Sequence, residues 1–275
     1  MPEGPEIRRA ADKIHRAIAG NRAEDVFFAF EHLKPYEDQL IGSTVTAVTP
    51  YGKALVTGFD NGLGVYSHNQ LYGKWVICKP NAAPVTTRQL RFAVYTAERW
   101  ALLYSASDIE ILTAEAVRHH PYIAKLGPDT LDTAVQPATV QARSLEAKFC
   151  RRQFATLLLD QGFLGGIGNY LRSEILYVAG IHPRQRPVDC SPARLTTFAE
   201  VALALPRQSY RHNGITNDLT LAAQLKAAGH RRYEYRHWVF GRQGQPCYRC
   251  GTGIEKVVIG GRRCYVCSVC QPLSW

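Results

Sequence analysis

The sequence lacks the long apolar runs of membrane-spanning helices, since no stretch approaches the roughly 20 residues needed to cross a bilayer. It also lacks the apolar core of a secretory signal, because the first residues are acidic and a polar helical pattern follows. Internal repeats and low-complexity tracts are missing as well. These absences exclude a helical membrane protein and a repeat architecture, and we expect a cytoplasmic chain in which disulfides are rare.

Acidic side chains are fewer than basic ones. The chain has 33 Lys and Arg residues against 23 Asp and Glu residues, which gives a formal net charge of +10. The excess is concentrated at one end, because residues 231–275 carry eight basic and two acidic side chains. Such a charge favours a polyanionic partner, with nucleic acid as the first expectation. A charge that serves solubility alone is the alternative.

The cysteines divide into two groups. Four are scattered and are expected to be free thiols: Cys78, Cys150, Cys190 and Cys264. The other four form two Cys-x-x-Cys pairs with sixteen residues between them: Cys247 with Cys250, and Cys267 with Cys270. Two matched pairs at this separation are typical of a tetrahedral zinc site, and a redox-active pair is the weaker alternative. We expect one structural zinc ion, because four cysteine ligands leave no position open for a substrate.

The segment between the cysteine pairs has the pattern of a β-hairpin. Residues 255–266 read as a strand, a Gly-Gly turn and a second strand. The pattern predicts a zinc-ribbon hairpin that presents Arg262 and Arg263 on a rigid mount. Solvated turn residues are the alternative for these arginines.

Apolar periodicity divides the rest of the chain into a β-rich part and a helical part, and 275 residues suffice for two cores. Residues 5–19 have the spacing of an amphipathic helix. Residues 26–112 contain short alternating strands with glycine turns, which favours a β-sandwich or barrel. Residues 113–138 are rich in Pro and Ala and are expected to connect this part to the next.

Helical spacing dominates residues 144–205. We expect helices over residues 149–161 and 170–179, the second ending at Gly180. Between them, residues 162–169 read as two successive glycine-rich turns, with Asn169 as the N-cap of the second helix. Backbone N–H groups at such a helix N-terminus suit a phosphate, and a simple helix–helix connector is the alternative.

The chain begins Met1-Pro2-Glu3-Gly4-Pro5-Glu6. If Met1 is removed, Pro2 carries a free secondary amine. An α-amino group titrates at about pH 8, so a useful fraction is neutral and nucleophilic. Attack of this amine on a sugar aldehyde carbon would give an iminium ion, and the carboxylic acid of Glu3 stands beside it. The alternative is an ordinary helix start, where proline is common.

In combination these features resemble the bacterial formamidopyrimidine-DNA glycosylase/endonuclease VIII family of base-excision-repair enzymes. The resemblance rests on the Met-Pro-Glu-Gly-Pro-Glu start, the β-rich first half, the double glycine turn and the four-cysteine ribbon. Further matching stretches are residues 52–55, 67–73, 104–110, 127–129, 152–154 and 168–172. The resemblance spans essentially the whole chain and is closest to the endonuclease VIII branch.

The resemblance implies a multidomain α+β fold. Its expected parts are an N-terminal β-sandwich with an N-terminal helix, a helix–two-turn–helix domain and a C-terminal four-cysteine zinc-ribbon hairpin. We expect a catalytic β-sandwich domain over residues 1–125 and a linker with the helical DNA-binding domain over residues 126–237. The zinc finger is expected over residues 238–272.

The resemblance also assigns catalytic roles. Pro2 is the implied nucleophile, which attacks C1′ of a damaged nucleotide and expels the base. Glu3 is the implied general acid for the opening sugar ring. Lys53 would donate a proton in β-elimination and hold a phosphate. Arg262 would contact the phosphates beside the flipped nucleotide and assist δ-elimination, with Arg263 as the less favoured candidate.

Five further residues are implied to bind DNA. Gln70, Leu71 and Tyr72 resemble the wedge that fills the hole left by a flipped nucleotide. A buried strand-to-turn segment is the alternative for these three. Asn169 is implied to bind phosphate together with the adjacent backbone amides. Lys125 stands where the family has a phosphate-binding arginine, so the charge is kept while bidentate geometry is lost.

The implied function is a bifunctional DNA glycosylase and apurinic/apyrimidinic lyase that acts on oxidised pyrimidines in damaged double-stranded DNA. We expect a monomer in the bacterial cytoplasm, associated with the nucleoid through DNA and not with a membrane. Oxidised purines such as 8-oxoguanine are the first alternative. The wedge tripeptide argues against them, whereas the unexpectedly long segment 214–237, with helical spacing over residues 219–228, argues weakly for them. A non-catalytic zinc-ribbon DNA-binding protein is the second alternative.

Overall fold

A computed structural model describes residues 2–273 of the chain, in which contacts define two compact units. One unit comprises Pro2 with Glu6–Lys125, and the other comprises Glu3–Pro5 with residues 126–273. The boundary after Lys125 falls inside the expected connector. The division into three domains stays a prediction.

The first unit contains most of helix α1 (Gly4–Ile18), two short helices and the strands of a sandwich. The strands are β1 (Asp25–Phe28), β2 (Val45–Tyr51), β3 (Ala54–Phe59), β4 (Leu63–His68), β5 (Lys74–Cys78), β6 (Leu90–Tyr95), β7 (Trp100–Tyr104) and β8 (Asp108–Thr113). The short helices are α2 (Glu37–Leu40), which follows a 3₁₀ helix at Glu31–Tyr36, and α3 (Ala114–His119). Within the described residues these strands form two four-stranded antiparallel sheets, ordered β1-β6-β7-β5 and β2-β3-β4-β8. The β-sandwich expected from alternating short strands is confirmed.

The two sheets and helix α1 share one apolar core. The helix contributes a stripe at spacings of three and four, in which each residue is at most 1 % exposed: Ile7, Ala11, Ile14 and Ile18. Both sheets contribute the inward residues of their alternating strands, among them Phe28, which stacks on Phe92 at 4.9 Å. The helix therefore forms because one face of it is apolar and the sandwich buries that face.

The second unit is helical and ends in a hairpin. Its helices are α4 (Pro137–Ser144), α5 (Phe154–Leu157), α6 (Asn169–Val178), α7 (Pro192–Arg211), α8 (Leu219–Ala227) and α9 (Arg232–Tyr235), with a 3₁₀ helix at Pro187–Asp189. The hairpin strands are β9 (Glu255–Ile259) and β10 (Arg262–Val266). Helices α4 to α7 pack around a second apolar core. Among the helices of residues 2–273, none combines the length and apolarity needed to cross a membrane.

Helix α6 ends as the glycine pattern predicts. Gly180 has φ +65°, which lies in the left-handed region that glycine favours. Its N–H donates to the carbonyl of Tyr177 at 3.1 Å, and the N–H of Ile181 donates to the carbonyl of Leu176 at 2.9 Å. This pair of bonds is a Schellman motif, and it stops the helix before Gly180.

The helix expected over residues 149–161 is wrong, because only α5 is helical there. The N–H of Phe154 donates to the carbonyl of Gln185 at 2.9 Å. The N–H of Ala155 donates to the carbonyl of Pro183 at 3.0 Å. These distant carbonyls replace the acceptors that a preceding helical turn would have supplied. The apolar side chains of the segment are nevertheless buried, although most of the segment consists of turns and only α5 is helical.

The hairpin confirms the strand, Gly-Gly turn and strand pattern. Strands β9 and β10 are antiparallel, with Arg262 opposite Ile259. Gly260 and Gly261 have φ +57° and +71°, the pair of positive values that a two-residue hairpin turn requires. Arg262 and Arg263 are both exposed at the start of β10.

Candidate active site and metal centre

The carboxylate of Glu3 lies at the N-terminus of helix α6. Its oxygens accept hydrogen bonds from the backbone N–H groups of Gly168 at 2.7 Å, Tyr170 at 2.8 Å and Leu171 at 3.2 Å. Glu3 is only 3 % exposed. Three N–H donors and the positive end of the helix dipole stabilise the carboxylate form. Glu3 therefore occupies amides of the glycine-rich turn that were expected to bind a phosphate.

The N-cap prediction for Asn169 is off by one residue, because Gly168 is the N-cap and Asn169 is the first residue of α6. An N-cap side chain normally accepts from N–H groups of the first turn. Here Glu3 supplies that acceptor from 165 residues away. Asn169 is half-buried, and its carbonyl accepts the hydroxyl of Ser173 at 3.0 Å.

Two glycines allow Glu3 to approach the helix. A Cβ at Gly168 would lie 2.5 Å from the Glu3 carboxyl carbon, closer than real Cβ contacts. A Cβ at Gly4 would lie 2.9 Å from the Cα of Gly166, and the Gly4 N–H donates to the Gly166 carbonyl at 2.8 Å. Gly4 at the start of the chain and Gly166 in the double turn thus form a close backbone contact, which a side chain at Gly4 would prevent.

Pro2 immediately precedes Glu3, so its position is tied to the anchored carboxylate by one peptide bond. It is half-buried. Met1, whose removal would free the Pro2 nitrogen, lies outside the described residues.

Lys53 lies in the tight turn between strands β2 and β3 of the first unit and is half-buried. Its backbone N–H donates to the Tyr122 hydroxyl at 2.9 Å, which fixes the turn. The Lys53 cation affects the pKa of His68 at the end of β4. Burial lowers the pKa of His68, the Lys53 cation lowers it further, and the Asp108 carboxylate opposes them. Ala54, the residue after Lys53, pairs with His68, so Lys53 lies beside the end of β4.

His68 connects that region to the wedge candidates. Its Nδ1 accepts the backbone N–H of Gln70 at 3.0 Å, which requires Nδ1 to be unprotonated. Gln70 has φ +48°, and its side-chain oxygen accepts the hydroxyl of Ser107 at 2.8 Å. Leu71 and Tyr72 follow in the same turn and are 52 % and 68 % exposed. The alternative of a buried strand-to-turn segment is therefore wrong, and an apolar and an aromatic side chain project from the surface.

Lys125 is exposed in the turn that precedes Gly127. Its role in phosphate binding stays a prediction.

The four paired cysteines converge. The Sγ atoms of Cys247, Cys250, Cys267 and Cys270 all lie within 4.8 Å of one another. Two of the separations are 3.8 Å and 3.4 Å. A tetrahedral zinc site with Zn–S bonds of about 2.3 Å has sulfur atoms about 3.8 Å apart, so the donor set fits this metal.

Neighbouring groups favour the thiolate forms of Cys247 and Cys250, whereas burial raises the pKa of the Cys267 and Cys270 thiols. Hydrogen bonds from Thr252 lower the pKa of the Cys250 thiol to about 6. The Tyr177 hydroxyl lies 3.0 Å from the sulfur of Cys247, where it can donate to a thiolate. Backbone N–H groups also point at sulfur, from Arg249 to Cys247 at 3.4 Å and from Cys270 to Cys267 at 3.5 Å.

A buried carboxylate that the sequence reasoning missed anchors the chain leading into the metal centre. Glu174 in α6 is 0 % exposed, and its oxygens accept the Thr216 hydroxyl at 2.6 Å. They also accept three successive backbone N–H groups, from Trp238, Val239 and Phe240 at 2.8, 2.9 and 2.9 Å. Burial raises the pKa of Glu174, and these hydrogen bonds oppose the rise. The available signal was a pair of charges, Arg172 and Glu174, inside an otherwise apolar helix.

Helix α6 thus connects the parts of the second unit. Its N-terminus holds Glu3, its middle holds residues 238–240 through Glu174, and Tyr177 near its end contacts a zinc-ligand candidate. The structure brings Glu3 and Asn169 to one helix end in this unit. In the first unit it brings Lys53 and Gln70 to the same neighbourhood through His68.

Residues 1–107 match the formamidopyrimidine-DNA glycosylase N-terminal domain, and residues 126–218 match the formamidopyrimidine-DNA glycosylase H2TH domain. Proteins named endonuclease 8 from Salmonella paratyphi B and from Escherichia coli K12 are each 48 % identical over 98 % of this chain and 100 % of their own. The fold is similar to that of Lactococcus lactis Fpg in complex with DNA, with a TM-score of 0.82 at 19 % identity over 99 % of this chain and 100 % of that one.

The identity and coverage of these relatives settle the family, and they favour the catalytic reading over the non-catalytic DNA-binding module. The chain belongs to the formamidopyrimidine-DNA glycosylase/endonuclease VIII family, in its endonuclease VIII branch, and is a DNA glycosylase with apurinic/apyrimidinic lyase activity in base excision repair.

Proposed function

We propose that this enzyme removes oxidised pyrimidines from duplex DNA and cleaves the strand by β,δ-elimination through a Schiff base at Pro2. The observation that carries the proposal is the Glu3 carboxylate fixed on three backbone N–H groups of helix α6, one residue after Pro2. An acid held in one place beside a secondary amine is the pairing that this chemistry needs.

The proposed reaction starts when the Pro2 nitrogen, free after removal of Met1, attacks C1′ of the damaged nucleotide. The bond from C1′ to the base breaks and the base leaves with the bonding electrons, while the Pro2 nitrogen, now positively charged, passes its proton to the Glu3 carboxylate. Glu3 then donates that proton to the sugar ring oxygen as the bond from C1′ to this oxygen breaks and the double bond between C1′ and the Pro2 nitrogen forms. The three N–H groups stabilise the carboxylate that remains after this transfer. The iminium ion at C1′ then acidifies the protons on C2′, so that the 3′ phosphate can leave by β-elimination.

Lys53 and Arg262 are proposed to serve the elimination steps. Lys53 would move a proton in β-elimination and hold a phosphate, and its place in a fixed tight turn supports a defined direction for the side chain. Arg262 would bind the phosphates beside the flipped nucleotide and assist departure of the 5′ phosphate in δ-elimination. Its exposure at the tip of a rigid hairpin supports contact with a polyanion.

The wedge candidates support an action on duplex DNA. Chemistry at C1′ requires the nucleotide to leave the stack, at a cost of about a few kcal/mol. Leu71 and Tyr72 are exposed in one turn, where they can fill the vacated space. Asn169 and Lys125 are proposed phosphate contacts. Asn169 keeps this proposal although Glu3 occupies the amides on either side of it.

A zinc ion held by Cys247, Cys250, Cys267 and Cys270 is proposed to be structural. When bound, it supplies folding free energy to a segment with few apolar residues of its own. The chain's own residues then direct the hairpin, through α6 and the Glu174 carboxylate.

Damaged double-stranded DNA is the proposed partner, bound by a monomer in the bacterial cytoplasm. The Lactococcus lactis proteins of similar fold were solved with DNA containing an oxidised pyrimidine and with DNA containing an abasic site. Oxidised purines are a second candidate substrate, because helices α8 and α9 lie in the long segment 214–237.

The substrate is tested by excision assays on matched duplexes that carry either thymine glycol or 8-oxoguanine. The proposal expects faster release of thymine glycol. Faster release of 8-oxoguanine would overturn the pyrimidine assignment while leaving the lyase chemistry intact.

A further inference from the structure

A fully buried arginine follows the residues that bind Glu3. Arg172 is 0 % exposed, and the N–H of the preceding residue, Leu171, donates to the Glu3 carboxylate. Removal of a guanidinium from water is strongly unfavourable unless the charge is compensated and its N–H groups are hydrogen-bonded. Burial of Arg172 in the first turn of α6 therefore indicates that its guanidinium makes hydrogen bonds that a neutral side chain would not make.

The guanidinium clamps two backbone segments. Its Nη1 donates to the carbonyl of Ala155 in α5 at 2.8 Å, and its Nη2 donates to the carbonyl of Arg263 in β10 at 2.6 Å. Its Nε is buried without a partner among the described residues. Arg263 directly follows Arg262, so the clamp fixes the backbone next to the arginine proposed to bind phosphate.

Neighbouring contacts hold the same strand. The N–H of Tyr265 donates to the hydroxyl of Ser173 at 3.2 Å, two residues further along β10. At the turn, a Cβ on Gly260 would lie 3.0 Å from the Thr156 methyl group of α5. The hairpin is thus held at alternate residues by α6, and its tip at Gly260 comes close to α5.

The charges around Arg172 connect it to the same chemistry. Burial lowers the pKa of Arg172, the Cys264 thiol group and the Glu3 carboxylate raise it, and the Arg262 cation lowers it. The Glu3 carboxylate, which the N–H of Leu171 binds one residue before Arg172, therefore opposes the effect of burial, whereas the Arg262 cation adds to it. The buried Arg172 side chain thus interacts electrostatically with Glu3 and Arg262, the two residues of this unit with proposed roles in the reaction.

We infer that Arg172 is a positioning residue for δ-elimination, which fixes the direction of the Arg262 side chain through the Arg263 backbone. Arg172 touches neither DNA nor the reacting atoms, stays protonated throughout and acts through Arg262. The inference rests on the proposed function, in which Arg262 assists departure of the 5′ phosphate.

The first test removes the clamp with Arg172→Met and measures products from a preformed abasic duplex. Gels separate ends from β-elimination alone from ends that have also undergone δ-elimination. We expect the δ-elimination rate to fall about tenfold, as for other misplaced catalytic groups, with β-elimination within about twofold of wild type. Equal loss in both steps would overturn the inference, because it would indicate general damage to the unit.

A double-mutant cycle distinguishes an action through Arg262 from a general structural role of Arg172. If Arg172 acts through Arg262, then Arg172→Met should add no further loss to δ-elimination in an Arg262→Ala background. An additive loss in that background would show that Arg172 acts independently of Arg262, contrary to the inference.

Two further variants keep the test decisive if Arg172→Met folds poorly. Arg172→Lys retains the charge, but an ammonium cannot serve both carbonyls in the geometry of a guanidinium, so δ-elimination alone should fall. Arg207→Met is the control, since Arg207 in α7 also donates to backbone carbonyls, those of Thr130, Asp132 and Val135. It should lose stability and keep the wild-type product ratio, and an altered ratio would contradict the inference.

Failure of the inference is distinguishable from failure of the proposed function. If wild-type enzyme forms no borohydride-trapped adduct with abasic DNA, the Schiff-base function itself is wrong. If wild type is trapped and cleaves by β,δ-elimination but the cycle is additive, only the role of Arg172 is wrong.

Discussion

The backbone N–H of Gly168 donates a 2.7 Å hydrogen bond to the carboxylate of Glu3, across 165 residues of sequence. The bond joins the acid that follows Pro2 to the positive end of the α6 dipole, where an anion is stabilised. Because a Cβ at Gly168 would lie 2.5 Å from the carboxyl carbon, this position of Glu3 requires glycine at residue 168.

Gly168→Ala is expected to displace Glu3 and lower base excision about tenfold or more, because the added methyl group has no space between the helix and the carboxylate. Lyase activity on preformed abasic sites should be affected less, since the base is already gone. Single-turnover rates on lesion and abasic duplexes check both. Gly253→Ala is the control, because a Cβ there meets nothing within 4 Å. Wild-type excision by the Gly168 variant would contradict the proposed position of Glu3.

Glu3→Gln is expected to abolish most base excision and to retain lyase activity on preformed abasic sites. The amide cannot donate the required proton, and its NH₂ group would face backbone N–H donors in place of one acceptor oxygen. Comparison of the two activities on matched duplexes is the measurement. Equal loss of both activities would refute a specific role for Glu3 in base release.

Removal of zinc is expected to abolish the δ-elimination step of strand cleavage, because the Arg262 hairpin depends on the metal for a fixed direction. The measurement is metal content and cleavage before and after chelation, followed by readdition of zinc. Cys267→Ala should behave as chelated protein does, since Cys267 is 0 % exposed and belongs to the thiol cluster. Cys190→Ala is the control, because Cys190 lies outside that cluster. Full cleavage by metal-free enzyme would show that the site is dispensable.

Stability should fall below neutral pH because of His237. Its Nδ1 lies 2.7 Å from the Thr216 hydroxyl, and burial, followed by the Arg236 and Arg232 cations, lowers its pKa well below 6.5. The unfolded chain then binds more protons as pH falls through 6.5, so the free energy of unfolding decreases towards the folded-state pKa, by at most about 1.4 kcal/mol per pH unit.

Thermal or denaturant unfolding of wild type and His237→Asn, between about pH 7.5 and 5.5, checks this linkage. The variant should lose less stability over the window than wild type, because its side chain does not titrate. Zinc release affects both proteins, so the difference between them is the informative quantity. Parallel losses would exclude His237 as the source.

Much of the fold follows from local patterns. The alternation over residues 26–112 predicts the sandwich, because successive side chains of a strand point to opposite faces of its sheet. Gly180 predicts the end of α6, because the hydrogen bonds that close this helix join residues close in sequence. The cysteine spacing likewise predicts the thiol cluster, since each pair of ligands comes from one tight turn.

Local patterns fail where distant groups replace the usual partners. The helix expected over residues 149–161 shortens to α5 because the carbonyls of Pro183 and Gln185 bind its N–H groups. Asn169 is not the N-cap because Glu3 provides the acceptor from the other end of the chain. Arg172 and Glu174 look like a polar interruption of an apolar helix, and only the fold reveals that both are buried.

The most direct test of the central claim is borohydride reduction of the enzyme with an abasic duplex, using protein shown by mass spectrometry to begin at Pro2. The account predicts a stable covalent adduct through the Pro2 nitrogen, with a weaker adduct from Pro2→Gly, which keeps a primary amine. An absence of any trapped adduct with wild-type protein that begins at Pro2, or an adduct mapped to another residue, would contradict it.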